Sequence, residues 1–246
     1  IRTLRRFRML VEGLGISEVF AVATAAVREA EDGPEFADRV RAETGLSLRI
    51  ITGVEEARLS AAGVLAGAPD ARGVVGDLGG ASLELVIVAG GAAENAETWP
   101  LGPLSLMGEP VFDAPKLTTR IDSSLSRSAV LAQIPRRSDF YAVGGAWRAL
   151  GRIDQTLRRH PLHVLHHHEM ARADVMRVAE FVRRQSRKSL ERFEEAAAKR
   201  AESLPYAALA LERVMHWGGF DRVVLSSYGL REGILMEHLS DVLRSQ

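Results

Sequence analysis

The sequence predicts an α/β fold, and three observations lead to it. Apolar runs of strand length alternate with longer segments whose apolar residues recur at helical spacing. Between Gly73 and Trp99, three strand-like runs follow one another across short turns, which is typical of an antiparallel meander. Two glycine pairs, Gly79-Gly80 and Gly144-Gly145, each follow an apolar run directly. Such turns let the backbone approach an anionic ligand closely, so we expect the ends of these strands to face a phosphate.

Five elements are predicted before the meander. Apolar residues at Leu4, Phe7, Leu10, Val11 and Leu14 predict a helix closed by Gly13 and Gly15. The other four are a strand at 18–24, a helix from Pro34 to Thr44 ended by Gly45, a strand at 46–52 and a helix at 54–67. The turn-rich stretch 67–73 is a predicted domain boundary.

Helical and strand patterns also alternate after the meander. The predicted elements are a helix from about Thr118 to Gln133, a strand at 139–145 ending in two glycines, a helix at 146–158, helices across 172–217 broken near Ser189 and Pro205, a strand at 220–227 and a last helix at 229–243.

The composition excludes several classes of partner and cofactor. The 246 residues include 32 basic and 32 acidic ones, so no net charge favours nucleic acid or an acidic membrane as a partner. The absence of cysteine excludes disulfides, iron–sulfur clusters and thiolate zinc sites, and it fits the cytoplasm. No apolar run reaches the roughly 18 residues of a membrane span. Because the chain starts on Ile1, we expect a fragment of a longer protein.

The first glycine turn carries several groups suited to phosphate chemistry. Asp77 ends a buried strand and could hold a metal ion or position water. The N–H groups of Gly79 and Gly80 could form an anion nest, to which Ser82 adds a hydroxyl donor. Glu84 lies two residues beyond Ser82, so both side chains leave the same face of the second strand. The alternative is a tight hairpin that binds nothing.

Three further features each have a functional and a structural interpretation. Gly144-Gly145 precedes a helix N-terminus, which favours an anion, although close packing would also explain the glycines. Glu55 and Glu56 open a helix, where acids also simply complement the dipole. Arg28 ends the predicted strand 19–28 and could hold a phosphate bidentately, but a surface arginine is the commoner case.

Histidines cluster at 160–168. A metal site is one interpretation, but Pro161 interrupts any helix face. A solvated or pH-sensitive loop is the favoured one.

The segments together resemble the Ppx/GppA family of exopolyphosphatases and guanosine pentaphosphate phosphohydrolases. The resemblance is carried, in the family's order, by ATAAVREA (23–30), IITGVEEARL (50–59), VVGDLGGASLELV (74–86), YAVGGAWRAL (141–150) and LSSYGLREGIL (225–235). It implies the actin-like ATPase superfold, with two α/β domains around a cleft and a phosphate loop from each. We expect a first domain at 1–72, with the helix 229–246 packed back on it, and a second domain at 73–228.

The resemblance also implies the roles of individual residues. Glu56 would activate water, and Arg28 would hold phosphate. Asp77 and Glu84 would hold Mg²⁺ or another divalent cation. The phosphate oxygens would be bound by Gly79, Gly80, Ala81, Ser82, Gly144 and Gly145.

Three departures from the family pattern are visible. The first phosphate loop, of the form DIGSNS, is missing, so the first domain is expected to be incomplete. Ala81 stands where a third glycine is usual and could crowd the nest or restrict φ, and Ala146 replaces a threonine.

We expect Mg²⁺-dependent release of the terminal phosphate of polyphosphate, or of the 5′-γ-phosphate of pppGpp, by a possible homodimer. The departures support an alternative, a module that binds polyphosphate or a guanosine nucleotide without cleaving it. A kinase of the same superfold is a weaker third hypothesis.

Overall fold

The first part of the chain forms a small parallel sheet flanked by helices. The computed structural model describes residues 1–108, 112–193 and 198–244, which divide into two compact units, Ile1–Glu56 and Ala57–Gln246. The elements within the first unit are α1 (Arg2–Gly13), β1 (Ala21–Ala23), α2 (Ala25–Arg28), α3 (Gly33–Thr44) and β2 (Leu48–Ile50). β1 and β2 pair in parallel, with Ala21 opposite Leu48. Helix α3 ends at Gly45, whose φ of 69° is left-handed, as its position after the helical pattern predicts.

The predicted strand that reaches Arg28 is wrong. The strand ends at Ala23, and Thr24 then starts the one-turn helix α2. The carbonyl of Thr24 accepts hydrogen bonds from the N–H groups of Val27 and Arg28, both at 3.0 Å. Arg28 is therefore the last residue of a helical turn, and the direction of its side chain is set by that turn.

A six-stranded mixed sheet organises the second unit. Its strands are β3 (Gly73–Leu78), β4 (Leu83–Ala89), β5 (Ala92–Trp99), β6 (Asp139–Val143), β7 (Glu169–Ala171) and β8 (Arg222–Leu225), in the order β5-β4-β3-β6-β8-β7. The predicted antiparallel meander of β3, β4 and β5 is confirmed. β6 pairs in parallel with both β3 and β8, and the short strand β7, which the sequence pattern did not reveal, pairs antiparallel with β8.

The helices of this unit complete two layers. They are α4 (Gly53–Gly67, whose first turn belongs to the first unit), α5 (Pro103–Leu106), α6 (Ala114–Leu125), α7 (Ala129–Gln133), α8 (Gly145–Leu157), α9 (Arg172–Arg184), α10 (Arg187–Phe193), α11 (Leu204–Gly218) and α12 (Leu230–Arg244). On one face of the sheet, Val75 and its neighbours pack with Ala57, Ala61 and Val64 of α4. On the other face, Trp147 is fully buried against Phe140. Since side chains alternate along a strand, Asp77 shares the face of Val75 and is directed towards α4.

Two predicted helices are divided differently in the structure. The helix expected from Thr118 to Gln133 is two helices, α6 and α7, because Ser128 caps α7 by accepting a hydrogen bond from the N–H of Leu131. In the segment 172–217, the first break falls between α9 and α10, so Ser189 lies inside α10. Pro205 does lie in the first turn of α11, as expected.

The boundary between the compact units lies within α4, after Glu56, whereas the sequence predicts a boundary in the turn 67–73. The difference arises because the body of α4 is buried against the strands that follow it. α12 crosses α4 at close range: a Cβ on Gly233 would overlap the carbonyl of Leu59, and one on Gly63 would overlap that of Gly229. The division into domains at 1–72 and 73–228 stays a prediction.

None of the described helices combines the length and the apolar character needed to cross a membrane. The longest of them have 15 residues, whereas the hydrocarbon core requires about 20.

Candidate active site

The turn between β3 and β4 is a tight hairpin that accepts hydrogen bonds from Leu104 and Ser105. The N–H of Gly79 donates to the carbonyl of Ser82 at 3.0 Å. The carbonyl of Gly80 accepts from the N–H of Leu104 at 2.8 Å, and that of Ala81 accepts from the hydroxyl of Ser105 at 2.6 Å. Because a trans peptide directs its N–H opposite to its carbonyl, the N–H of Ala81 points away from Leu104, which binds the carbonyl of Gly80. An anion could therefore bind to the N–H of Ala81, whereas the N–H of Gly79, expected to belong to the anion nest, is used within the hairpin.

Ala81 does not strain this turn. Its φ is not in the left-handed range, so the backbone conformation is one that any residue adopts. The expected restriction of φ by the methyl group is therefore not found, and alanine fits where relatives are expected to have a third glycine.

Two carboxylates, a buried one and a half-buried one, lie side by side next to the turn. Asp77 and Glu84 are direct cross-strand partners, and Thr98 on β5 is opposite Glu84. Glu84 is 1% exposed, and its Oε1 accepts from the hydroxyl of Thr98 at 2.9 Å. Paired carboxylate oxygens are ligands that a hard divalent cation prefers, and Mg²⁺ takes one or two protein carboxylates while phosphates or water complete its shell. These residues therefore fit a divalent cation.

The carboxylate of Asp77 is held in place by a hydroxyl of α4. Ser60 donates to its Oδ2, and Ser60 is completely buried. Burial raises the pKa of Asp77 because it disfavours the charged form, while the hydrogen bond from Ser60 and the charge of Arg148 lower it. A bound cation would compensate this buried charge.

The turn at Gly144-Gly145 brings the start of α8 to the end of β3. Gly144 has a φ of 111°, and a Cβ there would lie 2.5 Å from the carbonyl oxygen of Leu78. Only glycine satisfies both constraints. A Cβ on Gly145 would overlap the guanidinium of Arg200, so that side chain lies directly on the first residue of α8.

Three arginines converge here, and we call Arg148, Arg200 and Arg231 the arginine cluster. Burial lowers the pKa of Arg148, and the like charges of Arg200 and Arg231 lower it further, whereas the carboxylates of Asp77 and Glu232 raise it. Within the described ranges, no carboxylate lies within 4.0 Å of any of the three guanidinium groups. Such a concentration of positive charge is unfavourable by itself and favours an anionic ligand.

The first unit, taken by itself, contains an ion pair with a buried carboxylate. Arg28 donates to Oε2 of Glu56 at 3.1 Å and to the carbonyl of Ile51 at 3.0 Å. Glu56 is 6% exposed and lies in the first turn of α4. The structure thus brings together the two residues that the resemblance singles out in this unit, and it shows Arg28 orienting the carboxylate of Glu56.

The histidines at 160–168 serve other contacts. His166 stacks on Tyr228 and accepts a hydrogen bond from the N–H of Ser227. His168 is paired with the buried Asp154 at 2.9 Å. In the part of the chain that the structure describes, no three His, Asp or Glu side chains are grouped as metal ligands. The cluster therefore offers no support for the metal interpretation.

Sequence reasoning missed Ser60 and the arginine cluster. Arg148 lies in the first turn of α8, four residues after Gly144, so the glycine turn could have drawn attention to it. Ser60 and Arg200 have no such local signal, because the fold brings them to the site from distant parts of the sequence.

Comparison with known proteins agrees with this architecture. The model of the Ppx/GppA phosphatase family matches residues 1–242. Exopolyphosphatase 1 of Mycobacterium leprae is 28% identical over 251 residues, covering 97% of this chain and 73% of that protein.

Two solved structures share the fold. An exopolyphosphatase from Cytophaga hutchinsonii superposes with a TM-score of 0.88 at 22% identity, over 98% of this chain and 80% of the other. The Ppx/GppA family member of Aquifex aeolicus gives 0.80 at 23% identity, over 100% and 80%. These likenesses confirm the predicted α/β fold of the actin-like type. Because the family model matches nearly the whole chain, the chain belongs to the Ppx/GppA phosphatase family.

Proposed function

We propose that this enzyme hydrolyses the terminal phosphoanhydride bond of inorganic polyphosphate. The observation that carries the proposal is the arginine cluster at the start of α8, three guanidinium groups without a carboxylate within 4.0 Å in the described residues. A chain of phosphates presents one negative charge after another and would neutralise all three at once. The 5′-γ-phosphate of pppGpp is the second substrate we consider, since it ends in the same phosphoanhydride.

Each group of the site has a role in this reaction. The N–H groups from Gly80 to Ser82, together with those of Gly144 and Gly145, would bind the oxygens of the terminal phosphate, with Gly79 shaping the turn. Asp77 and Glu84 would hold a divalent cation, Mg²⁺ in our proposal, which when bound neutralises charge developing on the phosphate oxygens. Arg28 would keep the carboxylate of Glu56 oriented and could offer its remaining donors to phosphate.

Glu56 would act as the general base. Its carboxylate would take a proton from water while the water oxygen bonds to the terminal phosphorus. The bond from that phosphorus to the bridging oxygen breaks, and the products are inorganic phosphate and a chain shorter by one unit.

The test compares two neighbouring acids on one helical turn. Replacing a general base lowers kcat by about 10²- to 10⁴-fold, so Glu56→Gln should nearly abolish phosphate release from long-chain polyphosphate with Mg²⁺. Glu55→Gln is the matched control, because Glu55 lies in the same helical turn as Glu56, pairs with Arg49 of β2 and has no proposed role. Full activity of Glu56→Gln would remove Glu56 as the base.

Two further outcomes decide the substrate. Faster release from pppGpp than from polyphosphate would reverse our preference. Tight binding of both without any release would show the non-catalytic module instead.

The proposal also includes a homodimer and a cytoplasmic location. The absence of cysteine supports a reducing compartment. Light scattering at several protein concentrations would test the dimer.

A further inference from the structure

Ser60 has an unusual partner for a serine within a helix. Serine in a helix commonly turns its hydroxyl to the carbonyl one turn earlier or to solvent. Here the hydroxyl leaves the helix and donates to Oδ2 of Asp77 on β3. Its neighbours on the same face, Ala57, Ala61 and Val64, are apolar and pack against the sheet. Ser60 thus places a hydroxyl between apolar side chains of α4.

The hydrogen bond restricts the orientation of the Asp77 carboxylate. In the described part of the chain, Ser60 is the only side chain that hydrogen-bonds to Asp77. Gly229 is also close, since a Cβ there would be 4.0 Å from Oδ2, but it has no side chain with which to hold that oxygen. With Oδ2 tethered on the α4 side, the position of the second oxygen is defined as well.

We propose that Ser60 is a positioning residue that orients Asp77 as a ligand of the divalent cation. The inference rests on the proposed function for its cation and its reaction. Ser60 touches neither substrate nor water in this proposal and acts only through Asp77. Partners that hydrogen-bond to a metal-binding carboxylate keep it in the geometry that the cation requires.

The experiment removes and restores the hydroxyl. Ser60→Ala deletes only the donor, and Ser60→Thr keeps a hydroxyl at the same place. Ser124→Ala is the matched control, because Ser124 is a buried helical serine whose hydroxyl donates to the backbone carbonyl of Arg120 in its own helix. For each variant, Mn²⁺ binding is measured by calorimetry without substrate, and kcat and KM are measured with polyphosphate and Mg²⁺.

We expect Ser60→Ala to weaken Mn²⁺ binding and to lower kcat, each by about 10- to 100-fold, the usual effect of losing such a partner. KM should change little, because the arginine cluster still binds the substrate. Ser60→Thr and Ser124→Ala should behave like the parent. A merely structural role would change the melting temperature without this separation of kcat from KM and without restoration by threonine.

Other results would overturn the inference. In the first, Ser60→Ala binds Mn²⁺ as tightly as the parent and has the same kcat. In the second, Ser60→Thr folds but is as defective as Ser60→Ala. If Ser60→Ala does not fold, Ser60→Cys, which keeps the size but weakens the donor, is judged by the same criteria.

The calorimetry separates this inference from the proposed function. A parent that binds Mn²⁺ but releases no phosphate would contradict the function, while the loss of Mn²⁺ affinity in Ser60→Ala would still support the role of Ser60. A parent that binds no Mn²⁺ would overturn the role of Ser60 even if phosphate were released.

Discussion

Replacing Arg148 with methionine should change stability and substrate binding in opposite directions. The side chain is half-buried at the start of α8, and burial together with the other two arginines lowers its pKa. Its charge therefore destabilises the ligand-free fold, although Asp77 and Glu232 compensate part of the cost. Taking a charge out of water costs several kcal/mol when the ion is fully buried. Because Arg148 is only half-buried and partly compensated, we expect a smaller effect, an increase of about 1 kcal/mol in the free energy of unfolding.

The effect on binding has the other sign. A hydrogen bond to a charged group contributes about 1.5–3 kcal/mol, and each 1.4 kcal/mol corresponds to about tenfold in affinity. Arg148→Met should therefore weaken polyphosphate binding by about 10- to 150-fold. Binding is measured by calorimetry in the Glu56→Gln background, where the ligand should not be consumed, and stability by denaturation in urea.

The control and the salt dependence sharpen this test. Arg152→Met changes the same residue type one turn later, where Arg152 donates to the carbonyl of His163. It should leave binding unchanged and should not gain stability. Raising the salt concentration should reduce the stability gained by Arg148→Met, because salt screens the repulsion within the arginine cluster. Unchanged binding, or a loss of stability in Arg148→Met, would refute the reasoning.

Two other substitutions test Asp77 and Gly144 of the site. Asp77→Asn should be more stable than the parent at pH 7, because the raised pKa of Asp77 means that folding disfavours its charge. This gain in stability should shrink as the pH falls through the raised pKa. It should vanish below the ordinary value of 3.8, where the parent carboxyl is protonated in both the folded and the unfolded state. Unfolding curves at several pH values measure the difference in stability, and a difference that does not change with pH would contradict the reasoning. Gly144→Ala should destabilise by at least about 2 kcal/mol, since alanine would combine a strained φ of 111° with an overlap with Leu78, whereas Gly108→Ala, whose Cβ would meet open space, should melt like the parent.

The strands and glycine turns could be predicted from the sequence because their signals are local. The meander is marked by apolar runs of strand length, and Gly45 and Gly144 mark the end of one helix and the start of another. Only glycine fits at position 144, so a glycine directly after an apolar run already indicates the turn in the sequence.

Other features depend on contacts that are distant in sequence. β7 has three residues, too few to show a period, and it is a strand only because β8 lies beside it. Arg200 reaches Gly145 through the packing of helices, and Ser60 reaches Asp77 because α4 covers that face of the sheet. The sequence predicts a strand up to Arg28 because the alanines and valines before it are compatible with both strand and helix, whereas the hydrogen bonds to Thr24 show a helical turn.

The contact between α4 and α12 offers a way to disturb the charges of the site without changing any of them. Gly233 lies in the first turn of α12, and its missing side chain lets the helix approach the carbonyl of Leu59. A methyl group at this position would act as a wedge and displace the first turn of α12, which carries Arg231 and Glu232. Gly233→Ala would then weaken phosphate binding as the loss of an arginine does, although it neither adds nor removes a charge. In a random screen for weakened phosphate binding, alanines at such helix crossings should therefore appear beside the expected arginine substitutions.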